Sequence, residues 1–598
     1  MKFTANIYIF IIVLSSLVQC QQQQPQQQQL LQQQCPSVAQ PCVCAGAVYE
    51  PVTIMCSGAS SLEQVIQSIS SAQNIRIDRL AIIDTPISRL PPFAFEGLEI
   101  GALSLTRNGL VQIDESAFDG PATESIVELN LDGNQINPTN LGGIAALQNL
   151  RKLLLKGNSI VELPPRAFAL LANAQGLEKL DLSKNQLSEL DQTVFEGLPN
   201  LREITLETNR FSAIPGQALR AVSRSLEKLN LGSNKLTIVP VSTLNFPKLN
   251  SLSLEFNSIA RIEPEALRGV PELTSLFIGG NKFDRFDPDL FRYVRKLEIL
   301  GIGNTDIKRL PRDSFKFTSR LRKLEMTDAA VSQIDENTFQ RIARTIQRIV
   351  LNKNELARVR LDMFQGLTEL QSLDLEGNIL STIDDGAFAN LPNLAHLDIS
   401  NNRLTILDDR TFENTFLSSL ETRTLYCCGN PWVCDNRLLW FREWLRQEVS
   451  IFIDKRPSCL AECNQPDFLN RWPLRDPDPE PPATSAPVIQ KAAAISSIGW
   501  IILAVILAIL LTSIVLLGIV RWFLGRRRRD DKEREAEDRI LRSSSGGVGS
   551  FRSGSVVGSR SLVYPRAVPP PEPVKLDLPP ANSLYQPPPT VVETNNYW

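Results

Sequence analysis

Residues 177–190 read "LEKLDLSKNQLSEL". Leu177, Leu180, Leu182 and Leu187 frame Asn185. Around Leu180 and Leu182 apolar and polar residues alternate, the period of a short strand with one buried face. The same text returns upstream as "LRKLLLKGNSIVELP" from Leu150 and downstream as "LEKLNLGSNKLTIVP" from Leu226. With the Asn position as reference, the frame L-x-x-L-x-L-x-x-N-x-L fits fourteen times, from Thr85 to Asn402, at spacings of 23 to 27 residues, most often 24. Eleven slots hold Asn; Thr85, Thr305 and Ala329 depart from it. Ten residues beyond every slot stands a large apolar residue, from Phe95 to Phe412, and ten of the fourteen are Phe.

One such unit cannot bury its own apolar face, so the units must stack. Inward leucines then share one core, and the strands form one parallel sheet. The Asn side chains can bond backbone groups where each coil turns, making a ladder between coils. The Phe column fills the wide side opposite the sheet. The expected fold is an α/β solenoid, curved, with a parallel concave sheet. Over 77–424 the repeats resemble the leucine-rich repeat family of extracellular type.

Terminal units of an array need caps. Before the first repeat stand Cys35, Cys42, Cys44 and Cys56, spaced like the family's N-terminal cap over 35–76. The resemblance implies the pairs Cys35–Cys44 and Cys42–Cys56. After the last repeat, over 425–470, "LYCCGNPWVCDNRLLW" (425–440) and "CNQP" from Cys463 resemble the C-terminal cap. Cys434 fits its first cysteine, but Asn436 holds the position of its second. Strand parity points Cys427 inward and Cys428 to the concave surface. The expectation is therefore Cys427–Cys463 and Cys434–Cys459, with Cys428 left as a free or intermolecular thiol. The C-x-x-P match supports Cys434–Cys463 instead.

The remaining segments bear on location. Residues 1–20 have the pattern of a secretory signal peptide, and 21–34 are a nearly pure Gln spacer. Residues 471–491 make a Pro-rich stalk. Residues 492–520 carry no charge and are long enough to span a bilayer. Arg521 and Arg526 to Arg529 follow, which places the C-terminus in the cytosol. All ten cysteines lie at or before Cys463, as expected of an oxidising exterior. The chain is expected in the plasma membrane, single-pass type I, with a disordered tail over 521–598. In that tail Pro570 and Pro573 form a PxxP motif for SH3-type adaptors, and Tyr564 and Tyr585 are candidate SH2-type sites.

Composition excludes several functions. The formal charge is −3; the tail's 13 Lys/Arg and 9 Asp/Glu leave about −7 for the remainder, which does not suit nucleic acid. There is one histidine, His396, expected to be exposed, so histidine-based catalysis or metal binding has little to work with. No catalytic, cofactor or metal residue is assigned. A protein partner is expected instead, either a ligand or an apposed ectodomain, with a homodimer as one form. The register assigns an apolar hollow to Phe256, Phe277 and Ile299 beside Gly279, Gly280, Gly301 and Gly303. Lys152, Lys156, Lys179 and Lys184 lie on one side; Asp374, Glu376 and Asp398 lie on the other. Cell-cell recognition or ligand reception is the expected function. A matrix-organising protein and an innate-immune receptor are the alternatives.

Overall fold

A computed structural model describes residues 35–46, 51–73, 75–136, 142–168, 171, 176–417, 422–448, 451–453, 459–479, 504–522 and 524. The expected signal peptide and Gln spacer, most of the stalk and nearly all of the tail, with Tyr564, Pro570, Pro573 and Tyr585, lie outside them. Two compact units divide the chain, Met1–Ala483 and Thr484–Trp598.

The first unit is the solenoid. Among the described residues one eighteen-stranded sheet runs through it. Its strands are mostly three residues long, such as Lys179–Asp181, Glu203–Thr205 and Lys228–Asn230. They pair parallel without slippage, Leu180 to Ile204 to Leu229. Register is fixed because these residues must face the core, and each is fully buried.

The Asn ladder is present in atomic detail. Asn185 Oδ1 accepts from the Asn158 and Ile160 amides of the coil before it, and its Nδ2 donates to Leu155 O and Leu182 O. Asn209, Asn234, Asn257 and Asn281 repeat the pattern. The residue just before each slot is left-handed at every coil, from Asp84 to Gly429. That turn aims the Asn into the core and points the preceding residue back over the sheet. On the far side the aromatic column stacks, Phe315 on Phe339 at 5.7 Å, Phe339 on Phe364 at 5.9 Å and Phe388 on Phe412 at 6.2 Å.

At the N-terminal end, Cys42–Ala45 and Thr53–Ser57 form an antiparallel hairpin that opens the sheet. Its disulfides are Cys35–Cys44 and Cys42–Cys56. At the other end the aromatic column meets the helix Leu439–Gln447, where Trp444 lies 5.2 Å from Phe412.

The C-terminal bridges correct the expectation. They are Cys428–Cys459 and Cys434–Cys463, and Cys427 is a thiol fully enclosed in the core. Parity places both thiols as the sequence suggested; the error lies in which one a returning chain can reach. Ile451–Ile453 pairs beside Arg423–Tyr426, with Ile453 opposite Leu425. The strand Ile451–Ile453 thus extends the sheet beside the coil of Cys428, which bonds Cys459 beyond it. The inward slot of Cys427 is closed by Trp432, whose Nε1 donates to Cys427 O at 3.0 Å. Asn436, in the place of the usual cysteine, is exposed.

Leu474, Asp476 and Asp478, within the segment expected to be the stalk, contact the cap helix. Arg442 is 2% exposed, and its guanidinium donates to Leu474 O and Asp476 O and pairs with Asp478. These contacts hold Leu474, itself buried, against the cap. In the second unit, Ala504–Trp522 is a helix of 19 residues, long and apolar enough by length and composition to cross a membrane.

Candidate functional site

The sheet presents three rows of side chains, at six, four and two residues before each slot, with the left-handed residue as a fourth. In most coils these rows are filled by polar side chains that pair with one another across the coils. Lys152 takes Glu128 at 3.2 Å, and Glu203 holds Lys179 and, at 3.9 Å, Lys228. The basic stretch expected around Lys152 and Lys179 is thus largely neutralised. Lys184 is exposed. Lys156 lies beside Asp132, whose carboxyl burial pushes up to about 6 while the Lys156 amide and charge oppose the rise.

The acidic stretch is more compact. Oxygens of Asp374, Glu376 and Asp398 come within 4.8 Å of one another. An all-oxygen set of this kind suits a hard cation such as calcium. These oxygens already serve local donors: Asp374 accepts from the Glu376 amide, Asp398 from the Ser400 amide and hydroxyl, and Glu376 from Asn401. His396 is half-buried, not exposed, and its Nδ1 lies 2.7 Å from Thr424 Oγ1. The Thr sits directly across the strand pair.

The coils around Gly279 and Gly301 differ from the rest. Phe277, Gly301 and Glu325 stand in one row on successive strands. The Phe277 ring leans over Gly301, where a Cβ would lie 2.8 Å from ring Cδ1. Phe256 leans likewise over Gly280, where a Cβ would lie 2.5 Å from its Cδ1. A Cβ on Gly279 would meet Gly303 O at 2.8 Å. The glycines therefore form a floor that no larger residue could form. Ile299 stands one row aside, between Ser275 and Lys323, and is half-buried.

Phe256 does not lie on a strand. It occupies the left-handed turn after Ser251–Ser253, with φ of 51°, and is 52% exposed. A bulky residue is disfavoured there by roughly 1–2 kcal/mol. Gly, Asn, Asp, Ser, Thr, Lys or Arg holds that slot in every other coil.

Reading the sequence for apolar residues missed the carboxylates of this hollow. Glu255 borders Gly279 on one side and Glu325 borders Gly301 on the other. Burial raises the Glu255 carboxyl to about 7, repulsion from Glu325 and Glu207 adds to it, and a bond from Ser253 opposes it. The row two before the slot shows the signal: Glu207, Gly232, Glu255, Gly279, Gly303.

The fold defines a class, a repeat solenoid with one continuous parallel sheet along its array. The leucine rich repeat family pattern matches 148–283 and 319–422 in overlapping pieces and passes over 284–318, the coil of Gly301, Gly303 and Thr305. Fibromodulin of Sus scrofa is 32% identical over 146 residues, covering 93% of that sequence and 24% of this chain. The chain belongs to the leucine-rich repeat family. It is also 28% identical over 173 residues to Tsukushi of Gallus gallus, covering 29% of this chain and 46% of that protein, less than half its length. Among solved structures, a leucine-rich repeat protein of Leptospira interrogans superposes with TM-score 0.50 at 21% identity, over 66% of this chain and 93% of that one, a likeness of fold.

Proposed function

We propose that the protein is a cell-surface recognition molecule, not an enzyme, which binds a protein partner in the concave face around Phe256, Phe277 and Gly301. The observation that carries this reading is Phe256. A half-exposed aromatic ring is held in a backbone slot that disfavours it, over a glycine floor. Strain of this kind persists where something other than stability selects for it, and exposed aromatic anchors are what interfaces use. In this reading the helix Ala504–Trp522 spans the plasma membrane. Cysteine-bridged caps favour an oxidising exterior for the solenoid, and the Arg cluster after the helix favours a cytosolic tail. Tyr585 and the Pro570–Pro573 motif then recruit adaptors.

The test is adhesion of non-adherent cells that express the full chain, mixed with labelled non-expressing cells. Homotypic or mixed clusters are expected, and Phe277→Glu should abolish them at unchanged surface level. Deleting 530–598 should leave clustering intact. Absence of both kinds of cluster, or clusters indifferent to Phe277→Glu, would overturn the reading.

A further inference from the structure

We infer that the hollow takes an arginine or lysine side chain from a basic segment of the partner protein. The inference rests on the concave-face reading above and names the partner's chemistry.

Three observations carry it. The first is the row Phe277, Gly301, Glu325. The Phe277 ring lies over the bare backbone of Gly301, and Glu325 stands on the next strand, one spacing of about 4.8 Å beyond that glycine. A flat cation lying on the ring turns its edge toward the carboxylate, the geometry for which a guanidinium is suited. The second is a nearby ring and carboxylate, Phe256 over Gly280 with Glu255 next to it in sequence.

The third is charge. At several other coils carboxylates on the sheet are matched by cations from neighbouring coils, as Glu128 is by Lys152 and Glu203 by Lys179, and the Asp374, Glu376 and Asp398 cluster is met by local hydrogen-bond donors. At Glu255 the charged groups that act most strongly are both anions, Glu325 and Glu207. Glu325 takes Lys323 at 2.8 Å, and Glu207 accepts from Asn230 at 3.2 Å. Glu207, Glu255 and Glu325 are met by one cation, Lys323, so the hollow stays net negative even with Glu255 partly protonated near neutral pH. An incoming arginine supplies the missing positive charge, and burying it against the ring strengthens the attraction. An apolar anchor would instead cover Glu255 without a counter-charge, which is costly.

The experiment uses the full chain in phosphatidylcholine nanodiscs, so that no anionic lipid competes. The probes are fluorescein-labelled heptapeptides of alternating glycine and arginine, their lysine and glutamate counterparts, and one of alternating glycine and leucine. Fluorescence anisotropy should show binding of the arginine and lysine probes and not of the other two. Glu255→Gln and Glu325→Gln should each weaken arginine binding about tenfold. Phe277→Leu should weaken it further than Glu336→Gln, a control that removes one exposed charge on the outer side of the coil. Thermal melts establish that each variant is folded.

Equal binding of arginine, leucine and glutamate probes overturns the inference. So does no binding at all, or equal losses from Glu255→Gln and Glu336→Gln, since long-range charge alone would give that. If clustering still depends on Phe277 while peptide binding ignores Glu255, this inference falls and concave-face recognition stands. If clustering also ignores Phe277, both fall.

Discussion

At the scale of single residues, Phe256 separates stability from function. Its ring is half-exposed, so removing it forfeits little packing, while its left-handed φ is one that glycine adopts freely. Phe256→Gly should raise stability by about 1 kcal/mol and weaken arginine-peptide binding. Greater stability with unchanged binding would make the ring a bystander. Glu255 gives a second test, with a definite sign. Its carboxyl is raised from an ordinary 4.5 to about 7, so the fold disfavours its ionised form. That cost is absent below pH 4.5, grows as pH rises through the folded value near 7, and is complete above it. Glu255→Gln should therefore melt higher than the parent at pH 8, by on the order of 1 kcal/mol after allowing for the group's solvent exposure, and equal it at pH 4.5. The cysteines show the limit of sequence reading at this scale. Parity gave Cys427 and Cys428 their correct faces, and the C-x-x-P match gave Cys434–Cys463, but no local pattern tells whether Cys459 reaches Cys427 or Cys428. Cys428→Ser should lose a bridge across 31 residues, costing about 3 kcal/mol and lowering surface expression. Non-reducing peptide maps of Cys427→Ser should keep every bridge.

At the scale of the coil, the Asn ladder decides how firmly neighbours are joined. Each Asn satisfies an amide and carbonyls that the turn leaves buried. Asn281→Ala would orphan the Ile259 amide and the Ile278 carbonyl, costing about 2–3 kcal/mol, while the Leu254 carbonyl keeps its bond from Asn257. The next two slots lack the rung. Thr305 Oγ1 turns back to Ile302 O of its own coil, and Ala329 has no oxygen to offer. The ladder resumes at Asn354, which takes the Ala329 and Val331 amides. Thr305→Asn should restore a rung toward Phe283 and add about 1 kcal/mol, read as slower amide exchange at Phe283. Repeat length, strand register, the ladder and the Phe column were legible because each column is sampled at fourteen coils, with Asn in eleven and Phe in ten, so noise at one coil is corrected by the others. The hollow was legible only in its apolar half. Glu255 and Glu325 look like ordinary solvated residues until register sets them beside Gly279 and Gly301, because three-dimensional adjacency across coils is read between lines of text about 24 residues apart.

At the scale of the molecule, a solenoid's stability is close to a sum of coil terms and neighbour interfaces. A weak interface then divides the array, and here the weak interfaces coincide with the hollow. The coil of Gly301 and Gly303 lacks its Asn, has the least side-chain volume on the sheet, and is the stretch the family pattern passes over. Departures from a local rule that gather in one place are the expected mark of a functional site. The same coincidence predicts how the protein unfolds. The coils before Asn281 and those from Asn354 each have a continuous ladder and their own disulfide-bridged cap, so each block can persist when the joint between them opens. Urea unfolding followed by hydrogen exchange should resolve two transitions, with amides of coils 281–329 exchanging ahead of both. Thr305→Asn should draw the transitions together by strengthening the joint. An arginine peptide bound across Phe277 and Glu325 ties three successive coils, so it should do the same to the parent protein and fail to do so in Glu325→Gln. A single transition in the parent, unmoved by peptide or substitution, would show that the core's leucines alone keep the array cooperative and that the missing rungs carry no mechanical consequence.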